Sequence, residues 1–276
     1  MLTRKKFLEK CFLRCVLECY VVHGLKTWYA FYILGSGCTV HLDLALINFA
    51  QILLFDMKNE EDESLQVWTK QVFASGQKPT QVTAMYDNWS KTYEENLGEG
   101  KYRAHIIAVD EVVRLVPEEQ RRQVRVLDVG AGTGWVGTEL LKLGFKNLDA
   151  LEPSEGMMNQ LKSTGIYTLK YQEFLGLGQN TIPSDTYDVV VVSGAMCEGH
   201  VPVRGIDDMV RVTKPGGLVV ISMRLEFLET VEEYRNRLEP HMNQLEQKGV
   251  WHKVARTVVP GYYCGKEGVV FSYRVV

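Results

Sequence analysis

The chain has 276 residues, is 46% hydrophobic and carries a net charge of −3 at neutral pH. It holds enough apolar surface for a full core. The slight acidic balance excludes the electrostatic footprint of a nucleic-acid-binding domain, and no nucleic-acid partner is expected.

The first 55 residues are the least legible. Cys11, Cys15 and Cys19 recur every four residues beside Leu8 and Phe12, a helical stripe suited to packing. No histidine stands at ligand spacing, so no metal is expected. Two apolar blocks, 28–34 and 42–55, are joined by Gly35-Ser36-Gly37 and interrupted by His41 and Asp43. A spanning helix needs about 20 unbroken apolar residues, which leaves membrane contact through this segment as the lesser alternative. Glu9, Lys10, Arg14 and Glu18 break any apolar signal region after Arg4-Lys5-Lys6. The run Glu60-Glu61-Asp62-Glu63 reads as a solvated linker within residues 56–64. It divides an N-terminal extension, 1–65, from a domain over 66–276. Six cysteines in such a chain do not argue for disulfides, and a monomer in a reducing, cytoplasmic compartment is expected.

Amphipathic helices are predicted over 65–73 and 102–116. Between them lies Tyr86-Asp87-Asn88-Trp89-Ser90-Lys91-Thr92-Tyr93, whose aromatics suit either packing on one helix face or a ligand contact. The apolar strand Val124-Arg125-Val126-Leu127-Asp128-Val129 then runs into Gly130, Gly132 and Gly134. Alternate glycines allow a sharp turn and close approach to a ligand, and the helix predicted over 135–143 aims its N-terminal amides into that turn. Gly132, Gly134 and Gly137 also spell a dinucleotide fingerprint, with Glu152 twenty positions after Gly132. Asp128 separates the two readings: a carboxylate beside the turn repels a pyrophosphate and attracts a cationic sulfonium and ammonium. S-adenosylmethionine is therefore the expected cofactor, with a nicotinamide dinucleotide as the alternative.

Residues 187–195 form a continuous apolar run, typical of a strand buried on both faces, and end in Ser193-Gly194-Ala195. A polar helical pattern over 226–248 contains Pro240, which predicts a kink or two shorter helices. Two β-rich segments, 254–259 and 269–275, follow, separated by Pro260-Gly261 and Gly265-Lys266-Glu267-Gly268.

Four of these features, in this order, resemble the class I S-adenosylmethionine-dependent methyltransferases. They are the glycine turn, Leu151-Glu152-Pro153-Ser154, the strand ending at Ser193-Gly194, and Thr213-Lys214-Pro215-Gly216-Gly217-Leu218. Within the family, one subgroup is matched over 66–276. That match rests on Tyr86-Asp87-x-Trp89 with Tyr93, on Leu177-Gly178-Gln179 before Ile182-Pro183, and on Gly194-Ala195 before Gly199-x-Val201-Pro202.

The resemblance implies an α/β, Rossmann-like fold: a seven-stranded, mostly parallel sheet with helices on both faces and a C-terminal antiparallel hairpin. It implies a cofactor site built from Asp128, Gly130, Gly132, Gly134, Glu152, Pro153, Gly178, Gln179, Ser193 and Gly194, with Glu152 on the ribose hydroxyls. Tyr86 and Tyr93 would close over the methionine end as a lid. Ser193-Gly194-Ala195 stands where the family's amino-group methylators carry Asn/Asp-Pro-Pro-aromatic, and a small-molecule acceptor is expected.

Methyl transfer needs alignment and exclusion of water, and a base only where the nucleophile must lose a proton. Cys197, Glu198, His200 and Arg224 follow the relevant strands. His200 is the candidate base or else an exposed loop histidine. Arg224 is the candidate holder of an acceptor carboxylate or phosphate, or else the partner of a surface acid. A cofactor-binding protein without transfer activity stands as a further alternative.

Overall fold

The computed structural model describes residues 65–276 apart from Gln66, Glu99 and Gln179. The cysteine stripe, the two apolar blocks and the acidic run at 60–63 lie outside the described residues.

Seven strands carry the fold: β1 (Arg125–Val129), β2 (Asn147–Leu151), β3 (Lys170–Tyr171), β4 (Tyr187–Ser193), β5 (Thr213–Arg224), β6 (Trp251–Tyr263) and β7 (Lys266–Val275). They form one sheet in the order β3-β2-β1-β4-β5-β7-β6. The first five are parallel, and β7 enters antiparallel between β5 and β6. Val129 of β1 pairs with Leu151 of β2 on one side and Val192 of β4 on the other. Register thus brings the glycine turn, Glu152 and Ser193 to the same C-terminal edge, where the strand order reverses about β1. Crevices at such a switch point are the ligand sites of open parallel sheets.

Helices cover both faces because side chains alternate along buried strands. Leu127, Val129, Val190, Val192 and Ile221 pack with residues of α6 (Gly205–Val212), α7 (Phe227–Thr230) and α8 (Leu238–Gln247). Val126, Val189, Val191 and Val220 face α3 (Ala104–Leu115), α4 (Trp135–Lys142) and α5 (Glu155–Thr164). A third apolar cluster joins α1 (Pro79–Trp89), α2 (Tyr93–Leu97) and the start of α3 to Tyr262 and Tyr263 of β6. Within it the indole of Trp89 donates to Asn96 Oδ1 at 2.8 Å, tying α1 to α2.

Three local expectations shift. The 226–248 segment does split into two helices, but Pro240 causes no break: it is the third residue of α8, where a backbone N–H has no partner to lose. The hairpin strands run longer than their β-rich centres. Pro260-Gly261 sits in an irregular stretch of β6, and the reversal falls at Cys264 and Gly265, with φ of 44° and 77°. Pro215-Gly216-Gly217 lies inside β5 as an irregularity between the pairs Tyr187–Thr213 and Val189–Leu218. Among the described residues no helix is long and apolar enough to cross a membrane.

Candidate active site

The chain reverses directly after β1 because Gly130 and Gly132 hold φ of 67° and 57°, a region side chains strongly disfavour. A Cβ on Gly130 would stand 2.5 Å from the Ala195 Cβ, whereas one on Gly132 would meet nothing within 4 Å and face open space. The N–H groups of Gly130 and Ala131 donate to the Leu151 carbonyl at 2.8 and 3.1 Å, fixing the turn to the end of β2.

Glu152 follows immediately, and both of its carboxylate oxygens are held by backbone. Oε2 accepts from the Gly132 N–H and Oε1 from the Ser154 N–H, each at 2.8 Å. Burial pushes its carboxyl up to about 7 against the pull of those two bonds. Ser154 in turn caps α5, its Oγ accepting from the Met157 N–H at 3.1 Å.

Asp128 occupies a different place from the one its position in sequence suggests. Strand alternation turns it to the Val126 face, beneath the turn, and it does not line the cleft. Its Oδ2 accepts from the Tyr167 hydroxyl at 2.5 Å, and that hydroxyl accepts from the Gly137 N–H at 3.0 Å. Its Oδ1 is buried without a partner, and burial pushes the carboxyl up to about 7.

An open cleft lies at the strand ends, with about 730 Å³ between its walls counting the part open to solvent. Of the residues singled out in sequence, Gly130, Gly132, Glu152, Pro153, Ser193, Gly194, Tyr86, Tyr93 and His200 line it. Gly134, Gly178 and Arg224 do not, and Gln179 lies outside the described residues. Among the described residues, the carboxyl groups on its wall are those of Glu152 and Glu173, and no lysine or arginine lines it. Helix α1 covers the cleft and is latched to α5: Asp87 Oδ1 accepts from Ser154 Oγ at 2.6 Å and from the Gly156 N–H at 2.9 Å.

His200 is half-buried rather than an exposed loop histidine. Its Nδ1 lies 2.7 Å from the Glu198 carbonyl, which only accepts, so Nδ1 carries the proton. Nε2 is then the acceptor, 2.9 Å from the Tyr86 hydroxyl. Desolvation pushes the imidazole down to about 4, so it is neutral at physiological pH. Burial raises the Tyr86 and Tyr93 phenols and the Cys197 thiol, which removes all three as anions. Glu198 is engaged elsewhere, accepting from the Gly76 N–H at 3.2 Å.

Arg224 lines an adjoining chamber, which shares Tyr86, Tyr93, Tyr102 and Gly194 with the cleft. Its guanidinium carbon lies 3.9 Å from the ring centre of Tyr263, with Phe73 at 4.7 Å and Phe227 at 5.0 Å. A 3.3 Å contact to Glu226 is its ion pair.

Sequence reasoning missed four residues. Tyr102 presses its hydroxyl against Gly194, leaving no space for a Cβ there. Glu173 follows a strand of two residues, too short to signal itself. Asp87 was visible beside Tyr86 but nothing in sequence marked it as a latch. Tyr167 stands in an irregular stretch with no pattern pointing to Asp128.

A sheet of this order, with a glycine turn and a backbone-held acid at its switch point, defines the Rossmann-like nucleotide-cofactor enzymes. Residues 100–256 match the methyltransferase domain family. Methyltransferase-like protein 27 of Homo sapiens is 35% identical over 199 residues, covering 71% of this chain and 79% of that protein. Demethylmenaquinone methyltransferase of Clavibacter sepedonicus is 32% identical over 149 residues, covering 52% of this chain and 58% of that protein, less than two thirds of its length. Magnesium protoporphyrin IX methyltransferase of Synechocystis PCC 6803, solved with bound S-adenosylhomocysteine, shares the fold at a TM-score of 0.54 and 14% identity, covering 72% of this chain and 99% of that one. The chain belongs to the S-adenosylmethionine-dependent methyltransferase family, and its cofactor is S-adenosylmethionine. The residues present fit that group: an open cradle over Gly132, a fixed carboxylate and a wall without cations suit a ligand with two positive centres and no phosphate.

Proposed function

We propose that residues 66–276 are the methyltransferase domain, that residues 1–65 are an extension to it, and that the methyl acceptor is a small molecule. The observation that carries the site assignment is the charge of the cleft wall, with two carboxylates and no lysine or arginine among the residues lining it. A dinucleotide pyrophosphate would meet repulsion there. The relatives named for demethylmenaquinone, a small molecule, support the acceptor class.

In this reading Glu152 accepts from the ribose hydroxyls, its oxygens already oriented by Gly132 and Ser154. Gly130 and Gly132 give the ligand close approach to backbone. Ser193 and Gly194 border the methionine end, and α1 with Tyr86 and Tyr93 shields it from water. When bound, the cofactor would supply an electrophilic methyl on a sulfonium, open to an acceptor lone pair, with the thioether as the leaving group keeping the C–S electron pair. His200 Nε2 accepts from the Tyr86 hydroxyl and so orients that phenol in the cleft, while the burial that pushes the imidazole down to about 4 makes it a weak base, which favours an acceptor whose lone pair is already free. Asp128 holds the turn from below through Tyr167.

Calorimetry of the full chain against S-adenosylmethionine, S-adenosylhomocysteine and the nicotinamide dinucleotides tests the cofactor site. Binding of the adenosyl compounds alone is expected, and it should be lost when Gly132 is replaced by valine. Incubation with methyl-labelled cofactor and fractionated cell extract tests the acceptor. Label is expected in the low-molecular-weight fraction, and label confined to protein or RNA would overturn the small-molecule reading.

A further inference from the structure

The adjoining chamber carries a more specific message. It shares Tyr86, Tyr93, Tyr102 and Gly194 with the cofactor cleft, and in the proposed reading these residues border the methionine end, where a methyl acceptor approaches. Its remaining walls are largely aromatic, with Phe73 and Tyr263 around Arg224, the one charged residue among the described residues lining it. Arg224 is largely buried, its side chain 11% exposed. Its guanidinium carbon lies over three rings at 3.9 to 5.0 Å, contacts that use none of its N–H donors. Its recorded hydrogen bond is the long one to Glu226, and Glu226 is committed more closely to Lys266, at 2.7 and 2.8 Å. A desolvated guanidinium with spare donors, in an aromatic chamber that opens onto the methyl-transfer side, is an arrangement for a flat anion.

We infer that the acceptor is an aromatic carboxylate, its carboxylate on Arg224, its ring between the chamber's aromatic walls and its nucleophilic atom at the tyrosine junction. This rests on the assignment of the larger cleft to the cofactor. A carboxylate is favoured over a phosphate because a single guanidinium, partly offset by Glu226, balances one negative charge, and among the described residues no second cation lines the chamber to balance another.

The test is calorimetry of the full chain saturated with S-adenosylhomocysteine, using 4-hydroxybenzoate, its amide 4-hydroxybenzamide, and tyramine as probes. The carboxylate should bind about tenfold or more tightly than the amide, and tyramine should not bind. In Arg224→Met the preference should shrink to within about twofold, and Arg224→Lys should recover only part of it, because an ammonium lacks the planar fork. S-adenosylhomocysteine affinity should be unchanged in both variants. Equal binding of the carboxylate and the amide by the unmodified protein, or binding of neither, overturns the inference without reference to any variant and leaves the cofactor site standing. Failure to bind S-adenosylhomocysteine at all would instead overturn the assignment beneath it.

Discussion

Replacing Glu152 by glutamine separates the cofactor role of this residue from its part in folding. The carboxylate accepts two backbone bonds of 2.8 Å, from Gly132 and Ser154, and keeps further lone pairs for the cleft. Glutamine retains one oxygen and turns an amide nitrogen toward a backbone donor, which leaves that donor unpaired at about 1–3 kcal/mol. Against this, the buried carboxyl is raised from its ordinary 4.5 to about 7. Between those values the folded chain holds a proton that the unfolded chain has released, so stability falls as pH rises through the window, by about 3 kcal/mol when fully past it. Glutamine removes that cost. The two terms offset, and the melting temperature at pH 8 is expected to move by only a few degrees. Cofactor binding has no such compensation: loss of the charged acceptor weakens S-adenosylhomocysteine by about 3 kcal/mol, roughly a hundredfold. In the unmodified protein, affinity should fall by nearly tenfold per pH unit below about 7 as the carboxylate is protonated, and Glu152→Gln should abolish that slope. Calorimetry from pH 5.5 to 8 reads both effects. Variant affinity within threefold of the parent, or a flat profile in the parent, would refute the reasoning.

Three further outcomes are expected. Gly130→Ala meets the Ala195 Cβ at 2.5 Å on top of its φ strain and should destabilise by about 3 kcal/mol, whereas Gly132→Ala has open space and should cost about 1 kcal/mol yet lose cofactor binding; equal shifts in thermal melts would contradict this. Gly156→Ala would place a Cβ 2.7 Å from the Asp87 carbonyl oxygen, lifting α1 off α5, and stopped-flow should show S-adenosylhomocysteine leaving about tenfold faster; an unchanged rate would remove α1 as the lid. NMR titration of the histidines should find His200 neutral with Nδ1 protonated down to about pH 4, and a midpoint near its ordinary 6.5 would refute the hydrogen-bonded arrangement.

The parallel half of the sheet was legible because its strands are apolar on both faces and bounded by turn residues, as in Tyr187–Ser193 between polar residues and Gly194. The two edge strands were not. β6 exposes most of its residues between a buried Trp251 and the buried pair Tyr262 and Tyr263, so no continuous apolar pattern marks its length, and β3 at the other edge has two residues and is defined by its pairing with β2. Pro240 misled for a similar reason. The penalty for proline depends on its distance from the helix start, and the α8 start is set by tertiary packing of Leu238 and Met242.

In the site, the carboxyl groups that line the cleft are not the one nearest the turn in sequence. A carboxylate two residues before the turn reads in sequence as facing a ligand, but alternation along β1 places Asp128 on the face of Val126, with α3, α4 and Tyr167. The negative wall is built by Glu152 and Glu173, which leave β2 and β3 at the same sheet edge, a proximity fixed by the pairing of Leu151 with Tyr171. In the proposed reading, preference for a cationic cofactor arises from strand register, with Asp128 acting through the shape of the turn. That is why Glu152→Gln, and not Asp128→Asn, is the substitution expected to remove the pH dependence of binding.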